Sequence, residues 1–83
     1  MENRKWGHRG RRDIYAAIIR SANGGTGKTA IMSKAGLSFK QLELYLAYLL
    51  KNGMLTCDNG VWGPTQKSYD FLRVYGNLEN LRI

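Results

Sequence analysis

Ala22 to Thr29 reads ANGGTGKT, a glycine-rich run that ends in Lys-Thr. This is a permissive form of the phosphate-binding loop, with Ala in the place of the first glycine. In a working loop of that kind, backbone amides cradle the phosphates, the Lys reaches them and the Thr hydroxyl meets magnesium. The chemistry requires a strand before the loop and a parallel sheet that holds both. Here the preceding segment is helical in pattern, and no hydrophobic strand ending in Asp completes a metal site. Nucleotide binding through ANGGTGKT is therefore a remote alternative. The run reads instead as a turn feeding a short helix, Lys28 to Ala35, with Thr26 or Thr29 near its cap. A basic, hydroxyl-bearing helix N-terminus is still a natural contact for a nucleic-acid phosphate.

The remaining reactive residues are few. Cys57 is the single cysteine, so no internal disulfide and no zinc pattern can form, and it is expected to be a half-buried strand residue. His8 is the single histidine. With no ligand cluster and no base beside a nucleophile, the parts for metal chemistry or a catalytic triad are missing. The expectation is a protein that is not an enzyme, with no cofactor, no metal and no small-molecule substrate.

Charge points elsewhere. Thirteen Lys and Arg against six Asp and Glu give a net charge of +7 on 83 residues, with a pI near 9.9. So strong a field on so small a surface attracts polyanions, nucleic acid first among them. The chain has room for one small domain. No apolar run approaches the roughly 18 residues of a membrane span, so no membrane partner is expected. The N-terminus, MENRKWGHRGRR, is basic but lacks the apolar stretch of a signal peptide, and the expected address is cytoplasmic, on the nucleoid.

The elements that would position these groups follow in order. Residues 1–11 read as a basic arm, with Arg4, Lys5, Arg9 and Arg11, and Trp6 as an anchor to the body. Residues 12–76 read as the folded domain and 77–83 as a short tail. Arg12 to Ala22 forms a helix with Asp13 in its first turn and Ile14, Tyr15, Ile18, Ile19 and Ala22 buried. In the short helix, Ile31, Met32 and Ala35 are apolar; Gly36 turns the chain and Leu37 tucks inward.

Ser38 to Gly53, SFKQLELYLAYLLKNG, has both helix ends written into it. Ser38 and Gln41 form a reciprocal capping box, and Gly53 favours the left-handed exit. Phe39, Leu42, Leu46, Leu49 and Leu50 make the inward stripe; Lys40, Gln41, Leu44, Tyr48 and Lys51 face the other way. Glu43, which would repel phosphate, is placed toward the body near a basic partner. Met54–Cys57 and Val61–Gly63 flank Asp58-Asn59-Gly60, the signal of a hairpin with a primed turn. Trp62 is expected to pack inward. Thr65 caps a last helix, Gln66 to Tyr75, with Tyr69, Phe71, Leu72 and Tyr75 buried and with Gly76 ending or kinking it. Leu78, Leu81 and Ile83 recur at near-helical spacing.

A first helix, two more joined by a glycine turn, then a two-stranded hairpin and a last helix make a mostly α, α+β fold: a winged helix-turn-helix of three helices, a two-stranded wing and a C-terminal helix. The segments RRDIYAAII, GKT, IMSKAGLSFKQLELYLAYLLKNGML, DNG and PTQKSYDFL resemble small archaeal winged-helix DNA-binding proteins, including the 10a-type chromatin-associated proteins. The resemblance covers nearly all of residues 11–72 and implies binding to double-stranded DNA, with the second helix of the motif in the major groove. By position it makes Ser38, Lys40, Gln41, Tyr45 and Tyr48 groove-facing. The 10a-type proteins dimerise through a long final helix, whereas only a short stretch follows Leu72 here, interrupted at Gly76. A homodimer contact would fall in that segment. The 10a-type proteins also carry an acidic residue after the Thr, absent from Pro64-Thr65-Gln66-Lys67-Ser68.

The candidate contacts are thus Arg9, Arg11 and Arg12, then Lys28 and Thr29, then Ser38, Lys40, Gln41, Leu44, Tyr45, Tyr48 and Lys51, and Asn59 in the wing. The implied role is a transcriptional regulator or chromatin-associated factor. The alternative is a protein-interaction winged helix, favoured by an outward Leu44, which could equally meet a thymine methyl. Gln41 has two competing roles, cap or reader of base edges.

Overall fold

The computed structural model describes residues 9–81, with side chains to residue 77. The expectations placed on the arm before Arg9, Trp6 included, and on the side chains of Leu78, Leu81 and Ile83 lie outside the described residues. Helix α1 (Arg11–Ala22) starts from Gly10, whose amide donates to Asp13 Oδ2 at 2.9 Å. Glycine has no side chain to return the bond, so half a capping box holds this end. Ile14, Tyr15, Ile18, Ile19 and Ala22 are buried, as the helical period requires. Gly24 and Gly25 then take φ of 86° and 91°, turning the chain where a side chain would be strained.

A two-residue strand, β1 (Thr26–Gly27), comes next and leads into α2 (Lys28–Ala35). The cap of α2 is Gly27, with Thr26 and Thr29 close to it as expected, but no side chain makes the cap hydrogen bond. Thr26 is a strand residue paired with Trp62, and Thr29 lies inside the first turn. Gly36, at φ 68°, closes α2: its amide donates to Ser33 O and the Leu37 amide to Met32 O, the paired bonds of a left-handed helix exit.

Helix α3 (Phe39–Lys51) opens on the full capping box: Gln41 N donates to Ser38 Oγ at 3.2 Å and Ser38 N to Gln41 Oε1 at 3.0 Å. It ends on the same paired bonds around Gly53. Its buried stripe is narrower than the apolar spacing suggests. Leu42, Leu46 and Leu49 are buried, but Phe39 and Leu50, at 60% and 45% exposure, lie outside the core.

Strands β2 (Leu55–Asp58) and β3 (Val61–Pro64) form the wing around Asn59-Gly60. Both turn residues have positive φ, 51° and 78°, as a primed turn demands. The antiparallel sheet has three strands in the order β1-β3-β2, with Thr26 opposite Trp62 and Cys57 opposite Trp62 on the other side. Trp62 is buried. Cys57 is exposed rather than half-buried, because β2 leaves the body after Leu55 and the rest of the strand projects into solvent.

Thr65 caps α4 (Gln66–Leu81), and the position of the usual acidic partner is filled by Ser68. Thr65 N donates to Ser68 Oγ at 2.7 Å and Ser68 N to Thr65 Oγ1 at 3.2 Å, a reciprocal box built from two hydroxyls. The helix runs through Gly76 without ending, since one interior glycine costs only about 1 kcal/mol. Tyr75 is buried and Phe71 and Leu72 pack on the core, but Tyr69 is exposed. The core therefore lies among α1, α2 and α3, closed by Leu55, Met54 and Trp62 from the wing and by α4. Each fully buried Ile or Leu there contributes about 1.5–3 kcal/mol of transfer free energy.

Candidate nucleic-acid interface

Opposite the stripe of Leu42, Leu46 and Leu49, α3 exposes Lys40, Leu44, Ala47, Tyr48 and Lys51. Lys40, Leu44, Ala47 and Lys51 follow one another at spacings of four, three and four, so they form a row along the helix. A lysine stands at each end of the row and apolar side chains fill its middle. Among the described residues, neither Lys40 nor Lys51 makes an ion pair. Ser38 and Gln41 stand at the start of the helix, both exposed and both engaged in the capping box. The cap role of Gln41 is thus occupied.

On one flank, α1 meets this row through tyrosines. The Tyr15 ring stacks on Tyr48 with centroids 5.1 Å apart and planes 11° from parallel, and meets Tyr45 edge-on at 5.9 Å. Burial pushes the Tyr15 phenol above its ordinary value, and its hydrogen bond with Tyr48 adds to the rise. Arg11, Tyr15, Gln41, Leu44, Tyr45 and Tyr48 line a depression of about 310 Å³. A neighbouring one of about 440 Å³ is lined by Gly10, Arg11, Arg12, Asp13, Tyr15 and Tyr48. Arg11 and Arg12 are therefore brought beside the outer face of α3, and Arg9 donates to Gly36 O at 3.4 Å in the turn before it. Tyr15 was not among the expected interface residues. Its place in the core stripe of α1 conceals that its ring reaches the rim of α3.

On the other flank stands Lys28, at the start of α2. Its Nζ donates to Glu43 Oε2 at 2.5 Å and lies 5.7 Å from the centre of the Phe39 ring. Glu43 thus has the basic partner expected of it, and the carboxylate beside the row is neutralised from within the protein. Thr29 is exposed one residue on. Asn59 is exposed at the tip of the wing, where its left-handed backbone makes the turn. Lys67, from α4, donates to Asn52 O at 2.9 Å and supplies positive charge to the C-terminal end of α3.

ANGGTGKT is not held as a phosphate loop. It leaves a helix, its Thr-Gly pairs antiparallel with the wing strand β3, and its Lys turns to Glu43. Among the described residues no group of His, Cys, Asp or Glu is arranged to hold a metal ion, and no helix is long and apolar enough to cross a membrane.

Set against known proteins, the chain matches none of the curated ones. A solved structure, that of Sso10a-2, a DNA-binding protein from Sulfolobus solfataricus, is similar over 89% of this chain and 90% of that one, with a TM-score of 0.66 and 25% sequence identity. The family model described as winged helix-turn-helix matches residues 8–83. With the capped second helix, the primed hairpin after it and a match across nearly the whole chain, this protein belongs to the winged helix-turn-helix family.

Proposed function

We propose that the protein binds double-stranded DNA, with α3 in the major groove and the flanking cations on the phosphates. The observation that carries this reading is the row on α3: two lysines at its ends and Arg11 and Arg12 on one side, with the carboxylate on the other side, Glu43, already paired to Lys28. Phosphate contacts from Lys and Arg supply affinity and register, while groups in the groove supply sequence information. The structural similarity to a DNA-binding protein supports the same reading. In this role the protein is a binding module rather than an enzyme, acting as a transcriptional regulator or chromatin-associated factor on the nucleoid. Lys51, Arg9, Arg11, Arg12, Lys28 and Thr29 serve the backbone. Ser38, Lys40, Gln41, Leu44, Tyr45 and Tyr48 face the groove, and Asn59 carries the wing to the backbone.

Titration of a labelled duplex at several salt concentrations tests this. About six phosphate contacts would release about five counterions, so log affinity should fall with log salt at a slope near −5. Affinity that does not depend on salt, or no binding at low salt, rejects the reading. A homodimer through the C-terminal segment belongs to the same proposal. It is supported by α4 continuing past Gly76 with Val74 and Tyr69 exposed, and sedimentation at the monomer mass would dismiss it. The competing reading, a surface for another protein, draws on the exposure of Leu44, Phe39 and Leu50. It predicts salt-independent behaviour toward DNA.

A further inference from the structure

The proposed DNA contact leaves open what the middle of α3 does in a groove lined with hydrogen-bonding groups. Leu44 is the most exposed large apolar residue on the described chain, at 69%, and Ala47 beside it is also exposed. Several polar side chains near it are engaged within the protein. The Gln41 amide is turned back onto its own helix start, its Oε1 accepting from Ser38 N. The ring of Tyr48 is stacked on Tyr15, and that of Tyr45 meets it edge-on. Glu43, the side chain suited to a cytosine amino group, is held by Lys28. The side chain that projects furthest from the central turn between Lys40 and Lys51, Leu44, is therefore hydrocarbon, as is its exposed neighbour Ala47.

The major-groove edge of the base pairs offers one apolar group, the C5-methyl of thymine. The charges at both ends of the row match phosphate rather than an apolar protein surface, which argues for this occupant. We infer that Leu44, with Ala47 beside it, reads thymine methyls in the major groove, so that methyl groups contribute to discrimination at the centre of the row. This rests on α3 lying in the groove.

The test uses the full chain and two duplexes of one sequence, one with thymine and the other with deoxyuridine at every such position; they differ only in the C5-methyl. Each methyl buried should favour the thymine duplex about fourfold, equivalent to about 0.8 kcal/mol. Replacing cytosine with 5-methylcytosine at successive positions should raise affinity by a similar factor where the added methyl meets Leu44. In Leu44→Ala the preference should shrink toward unity while the salt slope is kept. Leu44 is at the surface, so the variant should fold, as its far-UV spectrum will report.

Equal affinity of the wild type for both duplexes, with a steep salt slope, overturns methyl reading and leaves DNA binding in place. A preference that survives in full in Leu44→Ala also overturns it, because the reader is then another residue. Absence of salt-dependent binding to either duplex removes both proposals together.

Discussion

Helix α3 begins on two hydrogen bonds made by its own side chains, while α2 begins and ends on glycine with no side-chain bond. Each helix carries a lysine and no carboxylate in its first turn, Lys40 in α3 and Lys28 in α2, where the dipole disfavours a cation. Lys28 places a cation at the positive end of α2, a location that costs about 0.3–1 kcal/mol when nothing offsets it. Here Glu43 of α3 offsets it. The helix that presents the candidate interface is thus specified by its own residues. The one that supports it depends on what surrounds it: β1 before it, the core into which its own Ile31 is buried, and Glu43 across from it. A rigid, locally encoded α3 suits a surface that must keep its register. A short α2 needs only to be held in place.

The sharpest way to break this contrast is through the core. Ile31 is fully buried and, with Ala35, makes up the buried part of α2, so Ile31→Ala should cost about 2–5 kcal/mol in denaturant unfolding. A loss below about 1 kcal/mol would mean that α2 is held by something other than packing. Next in size is the cap of α3. Ser38→Ala should cost about 1 kcal/mol, seen as a lower melting temperature with an unchanged native far-UV spectrum. An unaltered melting temperature would show that the local encoding of α3 is dispensable. The smallest effect concerns the link between the two helices. A double-mutant cycle on Lys28→Ala and Glu43→Ala should give a coupling of about 0.2–1 kcal/mol, since both side chains remain 39% and 44% exposed. A coupling well above that range would make the ion pair, and not Ile31, the principal anchor of α2.

Much of this architecture is legible in the residues themselves, and the exceptions share a cause. Ser38 with Gln41, Gly36, Gly53 and Asn59-Gly60 act through bonds and dihedrals a few residues long, and each appears where its chemistry dictates. The failures depend on distant partners. Phe39 and Leu50 are apolar and correctly spaced for a helix, yet they fall at the edges of the stripe and stay largely exposed. Cys57 shares the pleat direction of the buried Leu55, but the wing has left the body by that point. Gly76 breaks nothing because α4 has enough good helix formers to carry it. The candidate interface divides in the same way. Lys40, Leu44 and Lys51 could be placed on one face from spacing alone. The stacking that brings α1, with Arg11, against Tyr48 depends on how two helices cross, which no local pattern records.

Strand β1 has a kinetic consequence. It joins Thr26 and Gly27 to Val61 and Trp62, with α2, α3 and β2 intervening in the chain. Closing so long a loop is entropically unfavourable, and the two-residue ladder returns little until the helices have already brought its ends together. The three-stranded sheet should therefore assemble after the helical core, with β2 and β3 pairing through their own turn and β1 joining last. Pulse-labelling hydrogen exchange during refolding should then protect the amides of α3 before those of β1; the reverse order would make the sheet a nucleus rather than a latecomer. In that sequence of events, the wing acquires its fixed angle to α3 only once the rest of the molecule has folded.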